Sequence, residues 1–133
     1  MVMDQTLEKT NEEEVGAVRI ADDVVAVIAG IAATEVEGVV GMSGGIVGDI
    51  SEILGKKNLS KGVRVEVGER EAAADLFIVV EYGVRIPEIA QRVQENVKKA
   101  IESMTGLSVV EVNIHIQGVA FRSEAREEEA RVR

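Results

Sequence analysis

Residues 86–117 read IPEIAQRVQENVKKAIESMTGLSVVEVNIHIQ, and two periodicities meet inside that stretch. Over 87–105 the apolar residues Ile89, Ala90, Val93, Val97, Ala100, Ile101 and Met104 recur at helical spacing, with Ile86 just ahead of them. Arg92, Glu95, Lys98, Lys99 and Glu102 fill the opposite side. That pattern predicts an amphipathic helix laid on a core. Pro87 suits the first helical position, where no amide donor is needed, and Gly106 suits a left-handed stop. From Ser108 the period becomes two. Val110, Val112, Ile114 and Ile116 alternate with Glu111, Asn113, His115 and Gln117, which predicts a half-buried strand over 108–117.

The same two periods recur upstream. Val63, Val65 and Val67 alternate with Arg64 and Glu66, a second half-buried strand. Residues 76–80 are continuously apolar and predict a central strand, with 69–75 as the hairpin connection. A helix is expected from Asp23 or Val24 to about Val36, with Asp22 as its N-cap. Its run over 24–33 is apolar on every side, so it must be buried all round or hold one face against a partner. Val24, Val27, Ile28 and Ile31 are the expected self-association face. Ile46, Ile50, Ile53 and Leu54 predict a further helix, with Gly55 closing it. Residues 15–20 are short and β-prone, with Val18 and Ile20 on one face. Together these predict a single α+β domain: a small, mainly antiparallel sheet packed with about three helices. Residues 1–14 are an acidic tail expected to be disordered, 15–119 the domain, and 120–133 a charged tail with helical pair spacing.

Composition limits the function. The chain has 133 residues, no cysteine, one histidine and a net charge of −9. Disulfides, thiol chemistry, Cys-based zinc sites and multi-histidine metal sites are excluded, and no cofactor is expected. The acid excess opposes phosphate backbones and anionic headgroups at long range. The longest apolar run, ten residues over 24–33, is half the length of about 20 that a spanning helix needs. The N-terminus is acidic and lacks a basic leader region, so secretion by a signal peptide is not expected.

Few residues offer chemistry. Glu66, Glu69, Glu71 and Asp75 surround the expected hairpin but lack EF-hand spacing, and charged hairpins are ordinarily solvated. His115 lies on the polar side of its strand with no nucleophile motif; Ser103 and Ser108 sit in no strained G-x-S-x-G turn. Gly45-Ile46-Val47-Gly48 matches the G-x-x-G loop of KH nucleic-acid-binding modules, although its middle residues are apolar and Asp49 follows. Lys56, Lys57, Lys61 and Arg64 are the basic cluster outside the tail, and could grip an acidic partner. No dinucleotide, Walker or zincin motif occurs, and no enzymatic activity is expected.

From Gly62 to Val119 a family pattern emerges. Val80-Glu81-Tyr82-Gly83, the helix with Val93-Gln94, Met104-Thr105-Gly106-Leu107 and Val112-Asn113-Ile114 together resemble the alkaline shock protein family of Gram-positive bacteria, also called general stress proteins. The earlier valine-rich helix with Glu37-Gly38-Val39 fits the same pattern, so the resemblance spans about 15–119. Ala72-Ala73-Ala74 departs from it, where a β-branched residue is more usual. The resemblance implies a cytoplasmic, non-enzymatic protein of cell-envelope stress or homeostasis that acts through protein contacts. It further implies self-association, attachment to the membrane through a membrane-anchored partner, and a link to fatty-acid synthesis through acetyl-CoA carboxylase components. It supplies no catalytic residue.

Overall fold

The computed structural model describes residues 15–44 and 61–121. Its elements are α1 (Asp22–Thr34), β1 (Val39–Met42), β2 (Val63–Val67), β3 (Glu71–Glu81), α2 (Ile86–Thr105) and β4 (Ser108–Ala120). The two tails over 1–14 and 122–133 and the helix expected over 46–54 lie outside the described residues. Two helices rather than three are therefore present among those described.

β3 is the axis of the sheet. β4 runs parallel along one side, and β1 and β2 both run antiparallel along the other. The parallel pair requires a crossover, which α2 supplies. β1 and β2 lie end to end: β1 pairs residues 78–80 of β3 and β2 pairs residues 72–76. Between them, the Ser43 amide donates to the Phe77 carbonyl at 2.7 Å and the Phe77 amide to the Gly62 carbonyl at 2.8 Å. Ser43 and Gly62 thus meet at Phe77, and β1 and β2 form one continuous edge. Gly62 has φ 79°, and a Cβ there would stand 2.8 Å from the Ser43 carbonyl oxygen and 3.0 Å from that of Phe77. Glycine is the residue that permits this closure.

β3 alternates without interruption. Ala72, Ala74, Leu76, Ile78 and Val80 are buried beneath the helices, and the residues between them face the other way. The expected hairpin connection over 69–75 is corrected. β3 starts at Glu71, and the turn over 68–70 is closed by the Gly68 amide on the Glu71 carbonyl at 2.8 Å. Ala72 and Ala74 extend the buried side of the strand, and Ala73 between them faces the other way.

α2 buries Ile89, Val93, Val97 and Ile101 at four-residue spacing and ends on Gly106 at φ 78°. Met104, on the last turn, belongs to the predicted stripe yet is 71% exposed. α1 begins one residue earlier than expected: Ala21 occupies the cap position without a side-chain bond, and Asp22 joins Asp23 in the first turn. Both carboxylates there face the positive helix end. At its other end, the Asn96 side-chain amide of α2 donates to the Ala32 carbonyl at 2.7 Å, tying the helices together. The β-prone stretch over 15–20 forms no strand; Ile20 packs on the core while Val18 is exposed. A β-prone stretch without a neighbouring strand gains no ladder.

β4 extends to Ala120, three residues beyond expectation, and contains two irregularities. Ala72 pairs Val109 but Ala73 pairs Glu111, so Val110 is an extra residue; Gln117 is another. Each bulge resets the alternation. Val109 is buried and Val110 is 58% exposed, the reverse of the simple alternating pattern.

Candidate functional site

Both helices lie on one face of the sheet, and the other face is lined by the second set of alternating side chains. Strand register assigns their neighbours. Glu66, Ala73 and Glu111 form one row, Arg64, Asp75 and Asn113 the next, and Phe77 and His115 the third. The face is therefore an array of one aromatic, one imidazole and flanking charges.

The Phe77 and His115 rings are stacked, with centroids 4.4 Å apart and planes 13° from parallel. The Arg64 guanidinium lies 5.5 Å from the Phe77 centroid, within reach of its ring face. His115 Nε2 lies 3.3 Å from Asp75 Oδ1, and the Asn113 amide donates to Glu111 Oε2 at 3.0 Å. Asp75 is held below the ordinary carboxylate range, first by hydrogen bonding with Asn113 and then with His115; the charges of His115 and Arg64 add less. Both Asp75 and His115 remain partly open to solvent. A second stack, Tyr82 on Phe121 with centroids 4.7 Å apart, closes the end of the sheet beyond Glu81 and Ala120. All three aromatic residues of the chain thus lie outside the core.

The sequence-predicted sites fare unevenly. Lys56 and Lys57 lie outside the described residues, as does the Gly45-to-Gly48 loop. Lys61 is exposed in the turn before β2, and Arg64 lies over Phe77, so it belongs to the aromatic array. On α1, Ile28 is buried and Val27 half-buried, while Val24 and Ile31 are 48% and 41% exposed. The outward apolar stripe is therefore Val24, Val27 and Ile31 without Ile28. Glu66, Glu69, Glu71 and Asp75 are spread along β2, the turn and β3, and no group of metal-ligating side chains occurs among the described residues. Ser103 Oγ donates to the Ala100 carbonyl on α2, away from His115.

Phe77 and Asp75 are the residues that sequence reasoning did not bring together. Their signal was parity: Asp75 and Phe77 are two apart, and the apolar run after Asp75 concealed the alternation.

A family model described as the Asp23 family, with cell envelope-related function (a family name, unrelated to residue 23), matches residues 10–121. The YqhY protein of Bacillus subtilis (strain 168) is 44% identical over 126 residues, which is 93% of this chain and 93% of that protein. A Streptococcus pyogenes serotype M3 (strain SSI-1) protein named stress response regulator gls24 homolog is 31% identical over 110 residues, 82% of this chain and 62% of that protein. Among solved structures, MamM-CTD aligns over 71% of this chain and 95% of its own at 17% identity, with a TM-score of 0.44. That likeness is loose, and no functional statement follows from it. The family match, in contrast, runs through every described element, and the chain belongs to the Asp23 family, whose function is related to the cell envelope.

Proposed function

We propose that this protein is a non-enzymatic factor of cell-envelope stress and homeostasis that acts by binding other proteins through the open face of its sheet. The observation that carries this reading is the Phe77–His115 stack, placed on the face that no described element covers, with Arg64 against it and the carboxylates of Glu66, Asp75 and Glu111 around it. Both rings are only half-buried, and aromatic surface left in contact with water is characteristic of contact sites. The surrounding acids favour a partner segment bearing lysine or arginine.

Membership of an envelope-related family, and relatives named as stress response regulators, support the cellular setting. In this reading the protein works in the cytoplasm, self-associates, and reaches the membrane through a membrane-anchored partner. Acetyl-CoA carboxylase components are a second partner class, implied by the alkaline-shock-protein resemblance. Nucleic-acid binding is disfavoured by the net charge of −9 and by the carboxylates around the one aromatic stack on the sheet face.

The test is quantitative pull-down from native cells with wild-type protein against Phe77→Ala and Arg64→Glu. Both variants should lose the main captured proteins while keeping the wild-type circular dichroism spectrum. An unchanged set of captured proteins would remove the open face from the reading.

A further inference from the structure

The outer edge of β4 has a backbone pattern that can be assigned residue by residue. The Ser108 amide donates to the Arg70 carbonyl and the Ala120 carbonyl accepts from the Tyr82 amide, both at 2.8 Å. These two residues therefore turn their backbone groups inward, toward β3. The Val109 amide instead donates to the Glu102 carboxylate at 2.9 Å, and the Val112 carbonyl accepts from Gln94 Nε2 at 2.9 Å. Those groups point outward. With Val110 and Gln117 as the two extra residues, the alternation is consistent from end to end, and it makes Ile114 and Ile116 outward residues as well. Among the described residues, no strand lies beyond β4. α2 thus shields the first part of this edge through Glu102 and Gln94, and no described element shields the part around Ile114 and Ile116. A bare edge is a template for another strand.

We infer that this edge is the self-association surface and that its occupant is a second copy of the chain. β4 pairs antiparallel with β4 of the partner about a two-fold axis at His115. Ile114 then faces the partner's Ile116, and each such pair exchanges both backbone bonds. The side chains suit this register. On the helix side, half-buried Ile114 and Ile116 meet their apolar counterparts. On the open side, Glu111, the one formally charged residue of β4, falls opposite the partner's Ala120 once Gln117 is counted as extra. No carboxylates oppose each other along the seam, although the chain carries −9 overall. The contact is the same patch on both copies, so it closes as a dimer. It would set two Phe77–His115 stacks side by side on one continuous sheet.

The inference rests on the self-association part of the proposed function, and two measurements separate them. The chain has no cysteine, so His115→Cys introduces a single thiol. Across the axis the two Cα atoms would be about 4.5 Å apart, within the range of about 4.4–6.8 Å that a disulfide spans. Mild oxidation should convert His115→Cys to a linked dimer, while Ile31→Cys on the exposed stripe of α1 stays unlinked. In sedimentation at tens of micromolar (on the order of common affinities), wild type should be dimeric. Ile116→Pro should be monomeric with its helix and strand signals retained, because an outward amide takes no part in the β3 ladder. A dimer in which Ile31→Cys links and His115→Cys does not would overturn the edge assignment and leave self-association standing. A monomeric wild type would overturn both.

Discussion

Asp75 is where backbone alternation becomes electrostatics. It is placed on the open face by the same period of two that buries Ala74 and Leu76, and there it meets Asn113, His115 and Arg64. A carboxyl whose value is depressed by folding adds stability at pH above its ordinary value of about 3.9. That contribution disappears as pH falls through the lower, folded value. Glu102 behaves alike, depressed first by Lys98 and then by the Val109 amide. Asp75→Asn should therefore reduce, without abolishing, the fall in melting temperature between about pH 5 and about pH 3. Adding Glu102→Gln should flatten it further. Thermal unfolding across that range is the measurement, and equal acid sensitivity in wild type and Asp75→Asn would refute the assigned interactions.

At the scale of elements, α2 shows how a periodic sequence and a packed surface diverge. Ile101 and Met104 belong to one predicted stripe, three residues apart. Ile101 is fully buried, whereas Met104 on the last turn is largely exposed. Ile101→Ala should cost roughly 2–5 kcal/mol, the range for emptying a packed site. Met104→Ala should stay within about 0.5 kcal/mol. Urea unfolding midpoints decide this, and comparable losses at both sites would mean that the end of α2 is covered. The contrast was not legible beforehand, because period gives an angle around the helix and not the length of the surface beneath it. β4 teaches the same point. Simple alternation puts Val110 on the apolar side, but the bulge at that residue gives the buried position to Val109.

For the whole molecule, charge and apolar length set the relation to membranes. No described helix is long and apolar enough to cross a bilayer, and the net charge is −9. An anionic leaflet should repel such a protein. Purified protein is expected to stay at the bottom of a flotation gradient with anionic liposomes at physiological salt, and flotation without a second protein would contradict indirect attachment. The sequence by itself determined the existence of α1, α2 and three of the four strands, the stop at Gly106 and the α+β class. Each rests on a local period or a backbone preference carried by neighbouring residues. The absence of thiol chemistry was likewise settled by composition. Only the tertiary structure decided that β1 and β2 share one edge across residues 43–62, that β4 runs parallel, and that Arg64, Asp75, Phe77 and His115 meet. Strand order and register are fixed by pairing between distant segments, and a one-residue bulge reverses which side chains face the core.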